Sequence, residues 1–224
     1  MRVYYFSAAG SCRKIAEYFA HTLALPISEI DGSPAETDTA IVVFPVYCQR
    51  LPAPLRSWLP KLKAEKAVLI AAYGRMHPGV ALQQAAKLCP CTVIAGANVP
   101  AAHGYLGDDF SPDFSRLKPI LERIADPKPA HIPRGRRQLF AFLAPDARSR
   151  LGVKIFKSGR CSGCGLCSRR CPAHSCKNGK PGRNCIRCLR CVYECPRRAL
   201  SFSLHPILKH YLSAAKYQEY ELFL

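Results

Sequence analysis

Apolar residues are clustered in short blocks along the first half of the chain, and the blocks alternate in character. Residues 3–6 form a compact apolar run. A turn of small residues follows, and residues 13–23 then carry Ile15, Ala16, Phe19 and Leu23 on one helical face. A short strand is expected near residues 27–30. Residues 40–44 (Ala-Ile-Val-Val-Phe) are continuous and largely β-branched, as a strand buried on both faces requires. Residues 52–62 read as helix, 67–72 as a fourth strand, 79–88 as helix, 92–99 as a fifth strand and 113–124 as the last helix. Five strand–helix units of this length predict an α/β, doubly wound, five-stranded parallel sheet over residues 1–126.

The pattern fails between residues 127 and 153. Prolines at 127, 129 and 133 and arginines at 134, 136 and 137 interrupt any period, as in a linker. An apolar piece at residues 139–143 could pack one unit on the other or stand as an isolated turn. Residues 204–224 place Ile207, Leu208, Tyr211, Leu212, Ala215 and Tyr220 at helical spacing, which predicts a C-terminal helix packing back on the chain.

Between these segments lies a duplication. Cys161, Cys164, Cys167 and Cys171 follow the pattern C-x₂-C-x₂-C-x₃-C, with Pro172 next; Cys185, Cys188, Cys191 and Cys195 repeat it, with Pro196 next. Every cysteine is displaced by 24 residues from its counterpart. Three thiolates at two-residue gaps wrap one tight loop around a cubane, and the fourth, on the helix that follows, reaches the neighbouring cluster. The rule assigns Cys161, Cys164, Cys167 and Cys195 to one [4Fe–4S] cluster and Cys185, Cys188, Cys191 and Cys171 to the other. Zinc is the competing reading, but it favours paired knuckles closing one tetrahedron, not three cysteines in a row. Cys176 aligns with Leu200 in the repeat and reads as a core position. Cys12 and Cys48 lie in loops expected at one sheet edge, as a redox pair or as idle thiols, while Cys89 and Cys91 read as structural. Residues 154–203 thus form a second, smaller α+β domain built around two clusters.

Charge sharpens this division. Residues 1–127 hold 13 Lys/Arg against 11 Asp/Glu, and residues 128–224 hold 20 against 4. Between Gly159 and Leu200 the only acid is Glu194, against ten basic residues. Positive charge favours an added electron, so cluster potentials should lie above those of an acidic counterpart. It also suits an acidic redox partner protein. Arg134, Arg136, Arg137, Arg148 and Arg150 come with no aromatic interleaving or binding module, which argues against nucleic acid. No apolar run reaches membrane-spanning length, and residues 1–6 read as a strand and not as a signal peptide. No membrane insertion and a cytoplasmic, reducing and anaerobic setting are therefore expected.

The first loop, residues 7–12, runs small residues into a helix N-terminus, a shape suited to a phosphate. Tyr5-Phe6-Ser7-x-x-Gly10-Ser11, Phe44-Pro45-Val46-Tyr47 with Leu51-Pro52, and Tyr73-Gly74, followed by the cysteine repeat, resemble the flavodoxin–ferredoxin fusion proteins of anaerobic bacteria. The C-terminal repeat itself resembles the bacterial two-cluster ferredoxins. The resemblance implies an FMN in the N-terminal half, with Ser7, Gly10 and Ser11 on its phosphate, Tyr47 and Tyr73 stacking on its ring, and Gly74 beside it. The chain departs from the flavodoxin loop at Ala9 and Cys12, where hydroxyl residues are usual, and at Arg75, where asparagine is usual. Two donors to a charged phosphate, about 1.5–3 kcal/mol each, are absent. Arg75 and His77 would favour an anionic reduced flavin.

Three functions follow as expectations. The first is an electron-transfer protein passing single electrons between two [4Fe–4S] clusters and FMN. The second is an FMN-dependent reductase of a small acceptor. The third is a ferredoxin whose flavodoxin-like half is a flavin-free docking domain. The sequence shows no acid/base pair around the proposed ring, which favours a carrier.

Overall fold

The structure, a computed structural model, describes residues 1–74, 76–107, 110–136, 145–214 and 219–224. Arg75, Arg137, the apolar piece at 139–143 and Ala215 lie outside these residues. The N-terminal half is a mixed α/β layer built on β1 (Arg2–Tyr5), β2 (Ile27–Glu29), β3 (Thr37–Pro45), β4 (Ala64–Tyr73) and β5 (Thr92–Pro100). These strands are parallel and run in the order β2-β1-β3-β4-β5, the order of flavodoxin-like sheets, with which the architecture is compatible. Chain direction across the sheet reverses between β1 and β3, and the carboxyl ends of these strands open the crevice where such sheets place ligands.

The alternation of side chains divides the core in two. Val3, Ile41, Val43, Val68 and Ile70 point to one face, under α1 (Ser11–Thr22) and α4 (Lys118–Ala125). Tyr4, Val42, Phe44, Leu69 and Ala71 point to the other, under α2 (Ala53–Trp58) and α3 (Ala81–Leu88). The central strands are buried on both faces, which is why they read as continuous apolar runs. Helix boundaries differ from expectation where prolines intervene. The 52–62 segment breaks after Trp58 into a tighter turn, Leu59–Lys61, because Pro60 has no N–H to continue the α ladder. The last helix likewise starts at Lys118 with Pro119 in its first turn, preceded by the turn Phe114–Leu117.

Two stretches bind the C-terminal half to this sheet. Ala130 N–H donates to Val93 O at 2.8 Å, and Ile132 packs on the α2–α3 side of the core, so the proline-rich segment is anchored at its start. At the other end, the expected terminal helix covers only Pro206–Ala214, here α8. Glu221–Phe223 instead form β10, a sixth strand antiparallel to β5 (Glu221↔Asn98, Leu222↔Ala97, Phe223↔Gly96). Three residues are too few to show a strand period, and the pairing is fixed by Asn98 Nδ2 donating to Glu221 Oε2 at 2.6 Å.

The intervening module starts with α5 (Pro145–Gly152). Its flanking strands, β6 (Val153–Lys157) and β9 (Leu200–Leu204), pair antiparallel. Between them lie two four-residue helices, α6 (Leu166–Arg169) and α7 (Arg190–Tyr193), and a small hairpin of β7 (Cys176–Lys177) and β8 (Lys180–Pro181). No helix among the described residues is long and apolar enough to cross a membrane.

Gly79 tests how tightly the carboxyl edge is packed. It sits at φ +66°, with its Cα against the Gln49 backbone and side chain, so a methyl there meets both strain and a clash. Gly79→Ala is expected to lower stability by about 2 kcal/mol or more. Gly32→Ala, where a methyl finds open space, is expected to stay within about 0.5 kcal/mol. Urea midpoints of the two variants check this.

Candidate functional site

The 24-residue duplication is carried into the backbone. Gly163 and Gly165 adopt left-handed φ of +73° and +72°, and their counterparts Arg187 and Leu189 adopt +54° and +63°. His174 and Arg198 repeat the match at +47° and +46°. The hydrogen bonds repeat too. Ser175 N–H donates to Cys171 Sγ and Ala199 N–H to Cys195 Sγ, each at 3.3 Å. The N–H of Leu166 reaches the Cys164 sulfur, and that of Arg190 reaches Cys188. A left-handed arginine and leucine cost about 1–2 kcal/mol each relative to ordinary helical backbone. They are the non-glycine members of a turn whose N–H groups converge on sulfur.

Cys161, Cys164, Cys167 and Cys195 line one cavity, together with Gly163, Gly165, Leu166, Gly179 and Arg197. Three come from one motif and the fourth from its repeat, the crossed set expected from the spacing. The cavity is open to solvent at its mouth. Among the described residues, no group of three or more His, Cys, Asp or Glu side chains is placed to hold a metal ion. The four cysteines thus share one lining with Gly163, Gly165 and the start of α6.

The two motifs differ in surroundings. Cys164 is exposed, and the Leu166 N–H bond, helped by Ser162 and Arg169, draws its thiol below the usual range. Burial pushes the Cys188 thiol up to about 11, and Cys191 is also raised by burial. Those two sulfurs give up protons reluctantly, so any metal ligated there must displace them. Cys176 is buried beside Cys167, at the place of the equally buried Leu200, as a core residue would be; burial raises its thiol to about 11.

The second motif is seated on the carboxyl edge of the parallel sheet. Arg190, with its side chain 4% exposed, donates to Ser7 O at 2.6 Å, pairs with Glu29 at 2.5 Å and lies 5.3 Å over the Phe6 ring. Arg170 joins Glu29 at 2.8 Å and Glu194 at 3.2 Å. Arg170 and Glu194 are themselves 24 residues apart. Tyr105 donates its hydroxyl to Arg187 O at 2.7 Å, Tyr193 donates to Gly104 O, and Ile186 packs half-buried against the α2–α3 side of the core.

The residues expected to hold FMN are distributed around this contact. Ser7 Oγ accepts from Gly10 N–H at 3.1 Å, and Ser11 Oγ donates to Ala102 O at 3.3 Å. Tyr47 is half-buried, its hydroxyl held protonated by burial, with Cys188, Cys12, Tyr105 and Arg190 around it. Tyr73 is buried at the end of β4 and donates to Glu219 O in the chain's last segment. Gly74 abuts His103. Ser7, whose carbonyl accepts from Arg190, and Gly10, bonded to Ser7, therefore lie beside the second motif, whereas Ser11, Tyr73 and Gly74 contact Ala102, Glu219 and His103. His77 accepts the Gly79 N–H through Nδ1 and shapes its own turn. Cys12 is buried in the core and its thiol is raised by burial. Cys48 is exposed, with Sγ 3.2 Å from Ser149 Oγ. Cys89 and Cys91 interact with each other at the start of β5, and burial lifts Cys89 to about 12.

Glu29, Tyr105 and Tyr193 are the site residues that sequence reading missed. The one available signal was Glu194, the lone acid in a basic module, standing at the repeat position of Arg170. Glu29 gives no local signal, because its partners are more than 140 residues away. A scan against protein-family models finds no match, and a search of curated proteins finds none either.

Two variants test these contacts. Arg190→Ala strands Glu29 and is expected to cost about 3 kcal/mol, cushioned by Arg170; thermal unfolding reads it. Arg187→Gly relieves a left-handed arginine whose Nε and Nη1 are buried without a hydrogen-bond partner. It is expected to leave stability unchanged or to raise it by up to about 1 kcal/mol in chemical denaturation.

Proposed function

We propose that this chain is a one-electron carrier holding two [4Fe–4S] clusters, with its N-terminal half serving as a flavin-free docking domain. The observation that carries the reading is the cavity lined by Cys161, Cys164, Cys167 and Cys195, which joins both motifs in the crossed set a two-cluster ferredoxin uses. The resemblance to flavodoxin–ferredoxin fusions supports the same reading. When bound, the clusters supply reversible one-electron chemistry at a potential set by nearby charge and N–H donors. The chain's residues hold the thiolates, donate N–H groups to sulfur and, through Arg190 and Glu29, fix the inner motif to the sheet.

The flavin-free alternative is favoured over FMN by what occupies the expected flavin edge. A phosphate at the 7–12 loop would share it with Glu29, a carboxylate held there by Arg190 and Arg170. The Tyr105 hydroxyl, on the same edge, is already bonded to the Arg187 carbonyl of the second motif. With Ala9 and Cys12 lacking hydroxyls, the loop does not fit FMN, and no electron step is assigned to one. The cytoplasmic, anaerobic setting is part of the proposal, because the clusters require reduced thiols.

Anaerobic purification with analysis of iron, acid-labile sulfide and released flavin tests the reading. The expected result is about eight irons and eight sulfides per chain, with no flavin retained after excess FMN is added and removed. Cys161→Ala with Cys164→Ala is expected to cut iron by about half, and Cys176→Ala to leave it unchanged. Stoichiometric FMN would restore the flavin relay, and one zinc per motif would overturn the cluster assignment.

A further inference from the structure

The two cysteine sets differ in what covers them: seven of the eight cysteines are half-buried, and Cys164 is exposed. The set of Cys185, Cys188, Cys191 and Cys171 is capped by the sheet edge, with Ile186 half-buried against the core of the N-terminal half, Tyr105 bonded to Arg187 O, and Arg190 buried. The set of Cys161, Cys164, Cys167 and Cys195 opens outward, with Ser162, Gly163 and Cys164 exposed at the mouth of its cavity.

That mouth has a rim of one sign. Arg197 is part of the cavity wall. Arg169 donates to Cys164 O at 3.0 Å and lies against Gly165. The Lys157 side chain lies against Gly179, another wall residue. Arg160 precedes Cys161 and is exposed, as is Lys177. The one acid between residues 159 and 200, Glu194, is occupied by Arg170 and Arg190 at the far contact. The rim therefore carries five positive groups, and the one acid of residues 159–200 is engaged elsewhere.

We infer that this rim is the docking face for an acidic protein carrying its own one-electron centre, and that the chain has a single outward port, at the Cys161 set. The inference rests on the cluster reading above. It adds where the partner sits and which motif it faces. The concave, sulfur-lined centre favours a protein with a protruding acidic edge over a nucleic acid, since the face offers no exposed aromatic series for base stacking.

The test uses the full chain, purified anaerobically, with an acidic flavodoxin as the probe and calorimetry as the readout. Binding should weaken at least tenfold as sodium chloride rises from about 0.02 M to about 0.5 M. The double variant Arg160→Glu/Arg197→Glu should bind about tenfold more weakly than the parent. Arg56→Glu/Lys61→Glu, the same charge change on the exposed surface of the N-terminal half, should alter binding by less than about twofold. Equal losses in the two variants, or none in either, would overturn the port. So would tighter binding of a single-stranded RNA or an anionic vesicle that displaces the probe. Iron and sulfide are measured on the same samples. Full iron with rim-indifferent binding removes the port alone, whereas absent iron and sulfide removes the cluster reading and the port with it.

Discussion

The junction depends on one guanidinium. Arg190 is almost fully removed from water, and a charge in that position is tolerable only when its hydrogen bonds are supplied by fixed partners. Glu29 and the Ser7 carbonyl are those partners, and both belong to the other half of the chain. The placement of Glu29 at the end of β2, the turn after β1 and the register of the 185–195 loop are thus mutually constrained. Arg170 and Glu194 extend the pair into a four-membered network. Such networks add directional specificity that an apolar contact of equal area lacks, because a displaced module leaves charges buried and unpaired.

The duplicated loops show a second constraint. The first copy meets its left-handed positions with glycine, and the second meets the same positions with arginine and leucine. The backbone path is preserved although the side chains have diverged. Sulfur-directed N–H groups account for that persistence, since each left-handed residue aims a donor that ordinary helical geometry would turn away. In the second copy these positions meet the N-terminal half: Leu189 is buried, and the Arg187 carbonyl accepts from the Tyr105 hydroxyl. The sequence difference between the repeats therefore follows the difference in their surroundings.

Much of the fold was legible because it is periodic. The strands at 40–44 and 67–72 and the face of α1 announce themselves by apolar pattern. The cysteine duplication is legible because each cysteine is a local signal at a fixed offset, and the backbone repeats it. Other features carry no such signal. Thr37 and Thr39 are polar but extend β3 through ladder pairing to Ala64 and Lys66, which composition alone does not show. The Glu29 contact, the role of Tyr105 and the three-residue β10 arise from residues brought together across more than a hundred positions. The 7–12 loop shows the same limit: its small residues resemble a phosphate cradle, but the arginine that bonds its Ser7 carbonyl comes from the other half of the chain.

The return of β10 to the sheet has a consequence for how the molecule is made. During synthesis β5 is complete long before the residues that pair with its outer edge leave the ribosome. Until they do, a nearly all-apolar strand presents unsatisfied backbone groups along its free side, which is the condition under which nascent chains pair with one another. The cysteine module lies in that interval, so delayed folding of its loops prolongs the exposure. On the proposed cluster reading, limited iron supply would then act on the yield of the whole protein, the sheet included.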